Sequence, residues 1–121
     1  KSAPHCLDSQ SKCVINSQFG KIHVLFNVKE VLTEQPFSID VGGFNSVDKV
    51  TVSAHLEGKN MYMGRIPLFF EQQDTSSLRA TTLLGSCTQK QMRWQIVLKI
   101  LSNDNKKIVE QHFIEFSSLR S

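Results

Sequence analysis

Three segments of this chain repeat apolar residues at every second position. Ile22, Val24, Phe26 and Val28 alternate with His23, Leu25 and Asn27. Val50, Val52, Ala54 and Leu56 alternate with Thr51, Ser53 and His55. Met92, Trp94, Ile96, Leu98 and Ile100 alternate with Arg93, Gln95, Val97 and Lys99. Successive side chains of an extended strand leave on opposite faces, so this pattern gives each segment one apolar face. An amphipathic helix would place its apolar residues three and four apart instead.

Shorter segments of similar character are Val14 to Asn16, Phe37 to Val41, Ile66 to Phe70, Leu78 to Leu84 and Ile108 to Phe116. Turn residues separate them: Phe19-Gly20, Pro36, Gly42-Gly43, Gly58-Lys59-Asn60, the polar stretch Gln72 to Ser77, and Ser102 to Asn105 as a hairpin tip. The stretch from Val28 to Glu34 has the makings of a helical turn, which Pro36 limits. Seven or eight short strands with polar turns between them predict an all-β fold, an antiparallel immunoglobulin-like β-sandwich. At 121 residues, with 40% hydrophobic residues, the chain is expected to form one domain over residues 1–121.

Charge narrows the function. Fourteen basic and 11 acidic residues leave a formal net charge of +3, and no basic run exceeds Lys106-Lys107. Nucleic-acid binding would require a basic stripe interleaved with aromatics, so no nucleic-acid partner is expected. No stretch reaches the roughly 20 apolar residues of a membrane span. The abrupt polar opening, Lys1-Ser2-Ala3-Pro4-His5, suggests that a signal peptide or membrane anchor once preceded it.

Cys6 and Cys13 are separated by six polar or flexible residues. That spacing matches neither a zinc finger nor a C-x-x-C motif. A Cys6–Cys13 disulfide would tether an N-terminal segment, residues 1–12, to the first strand and place the chain outside the cytosol. Two free thiols in a reducing compartment are the alternative. Cys87 is then left over, as a buried apolar side chain, as an intermolecular partner or as a ligand.

The sulfur atoms form the most specific constellation. All three methionines lie in Met61-Tyr62-Met63 and Met92-Arg93-Trp94, with Cys87 between. Met61 and Met63, two apart, share one side of an extended strand. Thioether and thiolate donors select Cu(I), so Met61, Met63 and Cys87 make a candidate metal site, with Met92, Trp94 and His55 as helpers. Packing is the competing role, above all for Met92 and Trp94, which share a face with Ile96, Leu98 and Ile100. His5, His23, His55 and His112 are dispersed and lack zinc spacing; His23 and His112 are expected to face solvent. There is no G-x-S-x-G, and Gly42-Gly43-Phe44 is not a phosphate loop. No catalytic residue and no small-molecule substrate is identified.

The segments Met61-Tyr62-Met63-Gly64, Leu83-Leu84-Gly85-Ser86-Cys87 and Met92-Arg93-Trp94 resemble a pattern in FixH-like and YtkA-like domains, over roughly residues 37–101. The resemblance implies a bacterial periplasmic or lipoprotein sandwich of immunoglobulin type, commonly tethered to a membrane. In part of that group it also implies copper handling or cytochrome oxidase maturation. This chain departs from the pattern in lacking the anchor segment and in carrying Cys6 and Cys13. Two functions follow as expectations. One is an extracytoplasmic accessory domain that presents an edge strand or loop end to a membrane-bound protein partner. The other is a Cu(I)-binding module.

Overall fold

A computed structural model describes residues 12–28, 31–59, 64–85, 91–103 and 108–119. Ten strands run through them: β1 (Lys12–Ser17), β2 (Gly20–Phe26), β3 (Val31–Leu32), β4 (Phe37–Gly42), β5 (Val50–Gly58), β6 (Arg65–Leu68), β7 (Glu71–Asp74), β8 (Ser77–Thr82), β9 (Gln91–Ser102) and β10 (Ile108–Leu119). The one helical element among the described residues is a 3-10 turn, Val47–Lys49. The strands form two five-stranded sheets, in the orders β1-β2-β4-β8-β7 and β3-β10-β9-β5-β6. The arrangement is all-β and broadly fits an immunoglobulin-like sandwich.

The count of ten corrects the seven or eight strands expected from sequence. All eight expected segments are strands, and the two additional ones have no apolar alternation to announce them. β7 is Glu-Gln-Gln-Asp, exposed at every position, and overlaps the stretch from Gln72 to Ser77 expected to be a loop. Its strand character comes from backbone pairing with β8. β3 lies where a helical turn was expected. Val31 and Leu32 instead pair in parallel with Ser118 and Leu119, almost ninety positions away, a partnership no local pattern encodes. The run then bends away: the Thr33 N–H donates to the Leu119 carbonyl at 3.0 Å, and the Glu34 N–H to the Leu84 carbonyl at 2.7 Å. Glu34 takes φ of +62°, which ends any regular continuation.

The alternating faces meet between the sheets. Ile22, Val24 and Phe26 of β2, Phe37, Ile39 and Val41 of β4, and Trp94, Ile96, Leu98 and Ile100 of β9 are all buried in one continuous cluster. Phe26 and Phe37 from one sheet and Phe116 from the other meet edge to face, with ring centroids 5.0 to 6.4 Å apart. Such pairs add about 0.5–1.5 kcal/mol each beyond simple burial. Trp94 is fully buried, and its indole N–H is satisfied by the Ser118 hydroxyl at 2.8 Å. This bond explains why a serine is tolerated at 1% exposure in an otherwise apolar face.

The β1–β2 hairpin is docked by backbone. Gly20 has φ of +128° and Gly43 has φ of +92°, both outside the range of ordinary L residues. A Cβ on Gly20 would strike the Gly43 carbonyl oxygen, and a Cβ on Gly43 would strike the Lys21 carbonyl. The two glycines allow the hairpin turn and the end of β4 to approach, and the Asn45 N–H then donates to the Phe19 carbonyl at 2.9 Å.

A second clasp joins this turn to the opposite sheet. The Glu110 carboxylate of β10 accepts the Gln18 N–H at 2.9 Å and lies 2.8 Å from His112 Nε2. His112, expected to face solvent, is therefore half-buried and engaged: it shares the inward parity of Ile114 and Phe116. Burial of Glu110 raises its pKa, but hydrogen bonds from His112, the Gln18 amide and Ser17 outweigh that, and the net direction is down from 4.5. A carboxyl whose folded-state pKa is depressed contributes stability above its unfolded value, lost as pH falls through the folded value. The expected outcome is that wild type and Glu110→Gln differ in urea midpoint at about pH 7 and converge toward about pH 3. A gap that stays constant across this range would show that the clasp does not act through the carboxylate charge.

Candidate functional site

The residues proposed from sequence as a metal site separate into three groups. Met61, Met63 and Cys87 lie outside the described residues, as does Cys6. Met92 and Trp94 are on the inner face of β9, at 1% and 0% exposure, within the core cluster. His55 is on β5, opposite Val97 of β9 and Pro67 of β6. Its neighbours Ala54 and Leu56 face the core, so His55 points from the other face of the same sheet. The sheet itself therefore stands between His55 and the Met92–Trp94 pair, and a single ion cannot be shared by both.

The surroundings of His55 are chemically distinct. Its Nε2 is buried with no hydrogen-bond partner, a condition the chain otherwise avoids among the described residues. Among the described residues its ion-pair partner is Glu57, with Oε2 at 3.7 Å, and the same oxygen is 3.9 Å from Arg65 Nε. Arg65 opens β6 directly after Gly64, which holds φ of +75° with open space where a Cβ would lie. β6 then runs antiparallel to β5, Arg65 opposite Glu57 and Pro67 opposite His55. The chain that leaves Met63 is thus led within two residues onto the strand beside His55. Among the described residues no cluster of three or more His, Cys, Asp or Glu has the arrangement of a metal site.

Cys13 is on the inward side of β1, 1% exposed, and disulfide-bonded. Its partner falls outside the described residues. β1 begins at Lys12, the last residue assigned from sequence to the N-terminal segment.

Two surface features were not picked out from sequence. The first is Phe69, 79% exposed and the most open large apolar side chain described. Leu68 before it is buried in the core, and Phe70 after it packs against the core. The chain crosses here from β6 in one sheet to β7 in the other, both ends anchored, so Phe69 is held outward. The period of two over Ile66, Leu68 and Phe70 carried this information, since Pro67 and Phe69 fall on the opposite parity.

The second feature is the difference among the four sheet edges. Open edges present unpaired backbone groups that recruit other strands, and proteins normally blunt them. β6 carries Pro67, which has no N–H to offer. β7 has a register irregularity between Gln72 and Asp74. Its carbonyls are also occupied by its own side chains: Gln72 Nε2 donates to the Asp74 carbonyl at 3.1 Å and Gln73 Nε2 to the Glu71 carbonyl at 3.3 Å. β3 is two residues long and covers only Ser118 and Leu119 of β10, so most of that margin is β10 itself. β1 has none of these devices. It pairs with β2 over six unbroken positions, Lys12↔Leu25 through Ser17↔Gly20.

No family model matches the chain, and no curated protein sequence does. Among solved structures, the fold is similar to that of a DUF4426 family protein (PA0388) from Pseudomonas aeruginosa PAO1, with a TM-score of 0.54 and 10% sequence identity. The match covers 90% of this chain and 94% of that one. At this identity the likeness concerns the fold: this chain shares its two-sheet β architecture with a small bacterial β-domain.

Proposed function

We propose that the chain is a non-enzymatic, extracytoplasmic accessory domain that binds a membrane-bound protein partner through the Phe69 crossing. The observation that carries this reading is Phe69 itself. A phenylalanine at 79% exposure, fixed outward by buried neighbours on both sides, is an anchor in search of a pocket. Exposing it gives the fold nothing, because Leu68 and Phe70 already close the core on either side. The FixH-like and YtkA-like resemblance supports a periplasmic or lipoprotein setting with a membrane tether. A Cys6–Cys13 disulfide fits that setting and would tie the N-terminal segment to β1. Peptide mapping of unreduced protein should yield a linked Cys6–Cys13 peptide; a Cys13–Cys87 peptide would replace that pairing and remove Cys87 from the ligand set.

Position 69 can be tested directly. A photo-crosslinking residue at Phe69 should form an adduct with a membrane protein in cells that make this chain. The same residue at Lys49, exposed and at the end of the 3-10 turn before β5, should not. Phe69→Ala should leave stability within about 0.5 kcal/mol, as for other surface positions, while abolishing the competition of free protein for that adduct. Equal labelling at both positions, or none in the membrane fraction, would sink the reading.

A second reading, a Cu(I)-binding module, is favoured by the unpartnered Nε2 of His55 beside the strand that follows Met63. Imidazole and thioether together suit a soft cation. With His55 and the Met92–Trp94 pair on opposite faces, the set this reading retains is Met61, Met63 and His55, with Cys87 as the thiolate. Met61→Leu with Met63→Leu should lower Cu(I) affinity at least tenfold at nearly unchanged stability, since the exchange costs less than about 1.5 kcal/mol. Met92→Leu should leave affinity alone. A wild-type protein that cannot compete with a micromolar Cu(I) chelator ends this reading.

A further inference from the structure

We infer that the outer face of the β3-β10-β9-β5-β6 sheet docks an acidic segment of the partner, apolar along its underside and laid across the strands from Phe113 to Phe69. The inference rests on the Phe69 reading and deepens it. It adds the surface on which the partner lies and the charge that the partner carries.

The two sheets turn different faces to solvent. An antiparallel sheet packed on one side ordinarily presents polar residues on the other. The β4–β8 pair follows that rule: outward, Ser38 and Thr81 share a hydroxyl contact of 3.2 Å, and Arg79 donates to Asp40 at 2.6 Å. The second sheet departs from it. Phe113 of β10 stands opposite Val97 of β9, Val97 opposite His55 of β5, and His55 opposite Pro67 of β6. Each alternates with core residues of its own strand, so all four leave from the outer face. The result is a cross-strand row of three apolar residues and one imidazole, about 15 Å long at the usual strand spacing.

The row is packed. Val97 is 3% exposed yet lies outside the core cluster, so its cover comes from its own face. Phe113 and His55, on either side of it, are half-buried, and His55 Nε2 is closed off from water without a partner. Phe69, two positions beyond Pro67 and of the same parity, continues the apolar surface past the end of β6.

Charge defines the occupant. Among the described residues, four cations, Lys59, Arg65, Arg93 and Lys99, share this face with two carboxylates, Glu57 and Glu115. Glu115 serves both Arg93, at 3.0 Å, and Lys59, at 3.7 Å. Arg65 is 3.9 Å from Glu57, a long contact for a side chain 72% exposed. Lys99 has no ion pair among the described residues. β6 and β9 both run antiparallel to β5, with Arg65 two positions before Pro67 and Lys99 two positions after Val97. The two least compensated cations therefore stand on opposite long sides of the row. A segment with apolar residues beneath and carboxylates along both flanks matches that arrangement, whereas a basic one would set like charges together. About ten residues of helix span the row.

Purified protein carrying a photo-crosslinking residue at Ser53, Phe69, Gln111 or Thr81, illuminated with membranes of the cells that make this chain, tests the proposal. Ser53 and Gln111 are exposed beside the row, and Thr81 is exposed on the outer face of the other sheet. Positions 53 and 111 should give an adduct of the same mass as position 69, and position 81 none. Lys99→Glu should lower the yield at 111 about tenfold, and Lys99→Arg should preserve it. Raising NaCl from about 50 to 500 mM should also lower it, since exposed charge pairs are screened. Peptide mapping should place the crosslink in an acidic segment. An adduct at 69 with none at 53 and 111 overturns the docking face and leaves the Phe69 reading standing. Adducts at 53 and 111 that neither salt nor Lys99→Glu alters overturn the acidic partner, and no adduct at 53, 69 or 111 removes both readings. If Lys99→Glu fails to fold, Arg65→Glu, on the more exposed side chain, decides in its place.

Discussion

The contact on which the sandwich depends is the edge-to-face meeting of Phe26, Phe37 and Phe116. Phe26 and Phe37 come from neighbouring strands of one sheet, and Phe116 comes from β10 of the other. Their rings fix how the sheets face each other, and Trp94 fills the adjoining space with its one polar atom bonded to Ser118. Once the sheets are so placed, β10 can run on to pair with β3, and Glu110 on the same strand can reach the β1–β2 turn. The clasp and the parallel β3 pairing are consequences of that placement: each joins groups far apart in sequence that neither could bring together alone.

Most of the frame was legible because burial writes a period of two into the chain. β2, β5 and β9 read directly, and their inward residues form the core, with Val52 only partly buried and Val97 buried on the opposite face. β7 was illegible for the converse reason: an edge strand exposed at all four positions buries nothing and leaves no pattern. β3 was illegible because its partner is the far end of the chain. His112 reads from sequence as a polar position alternating with apolar ones, yet it shares the inward parity of Ile114 and Phe116. Only its pairing with Glu110, two residues away on the same side of β10, explains it. That spacing was visible in the sequence and is the signal by which the clasp could have been found.

The candidate site was legible in a different sense. The sulfur residues were identified by chemical type, and type does not report which face of a sheet a side chain leaves from. The structure supplies that for three helpers and divides them: Met92 and Trp94 inward, His55 outward. Parity arguments had already set Met92 and Trp94 together, since they are two apart on one strand. The relation of either to His55 depends on the β5–β9 register, which sequence does not contain.

The same register logic bears on which surfaces are free to act. A two-sheet open sandwich has four edges, and each must be spent on something or protected. Among the described residues protection is uneven: a proline in β6 and a register irregularity with self-capping glutamines in β7, while β3 covers only Ser118 and Leu119 of β10. Those devices are costly in sequence terms, because each fixes residues that the core does not require. On β6 and β7 they disfavour association through the strand edge. Phe69 stands where the two blunted strands meet: it lies on the crossing from β6, which carries Pro67, to β7, whose carbonyls are held by its own glutamines, so this margin offers an outward side chain in place of a backbone ladder.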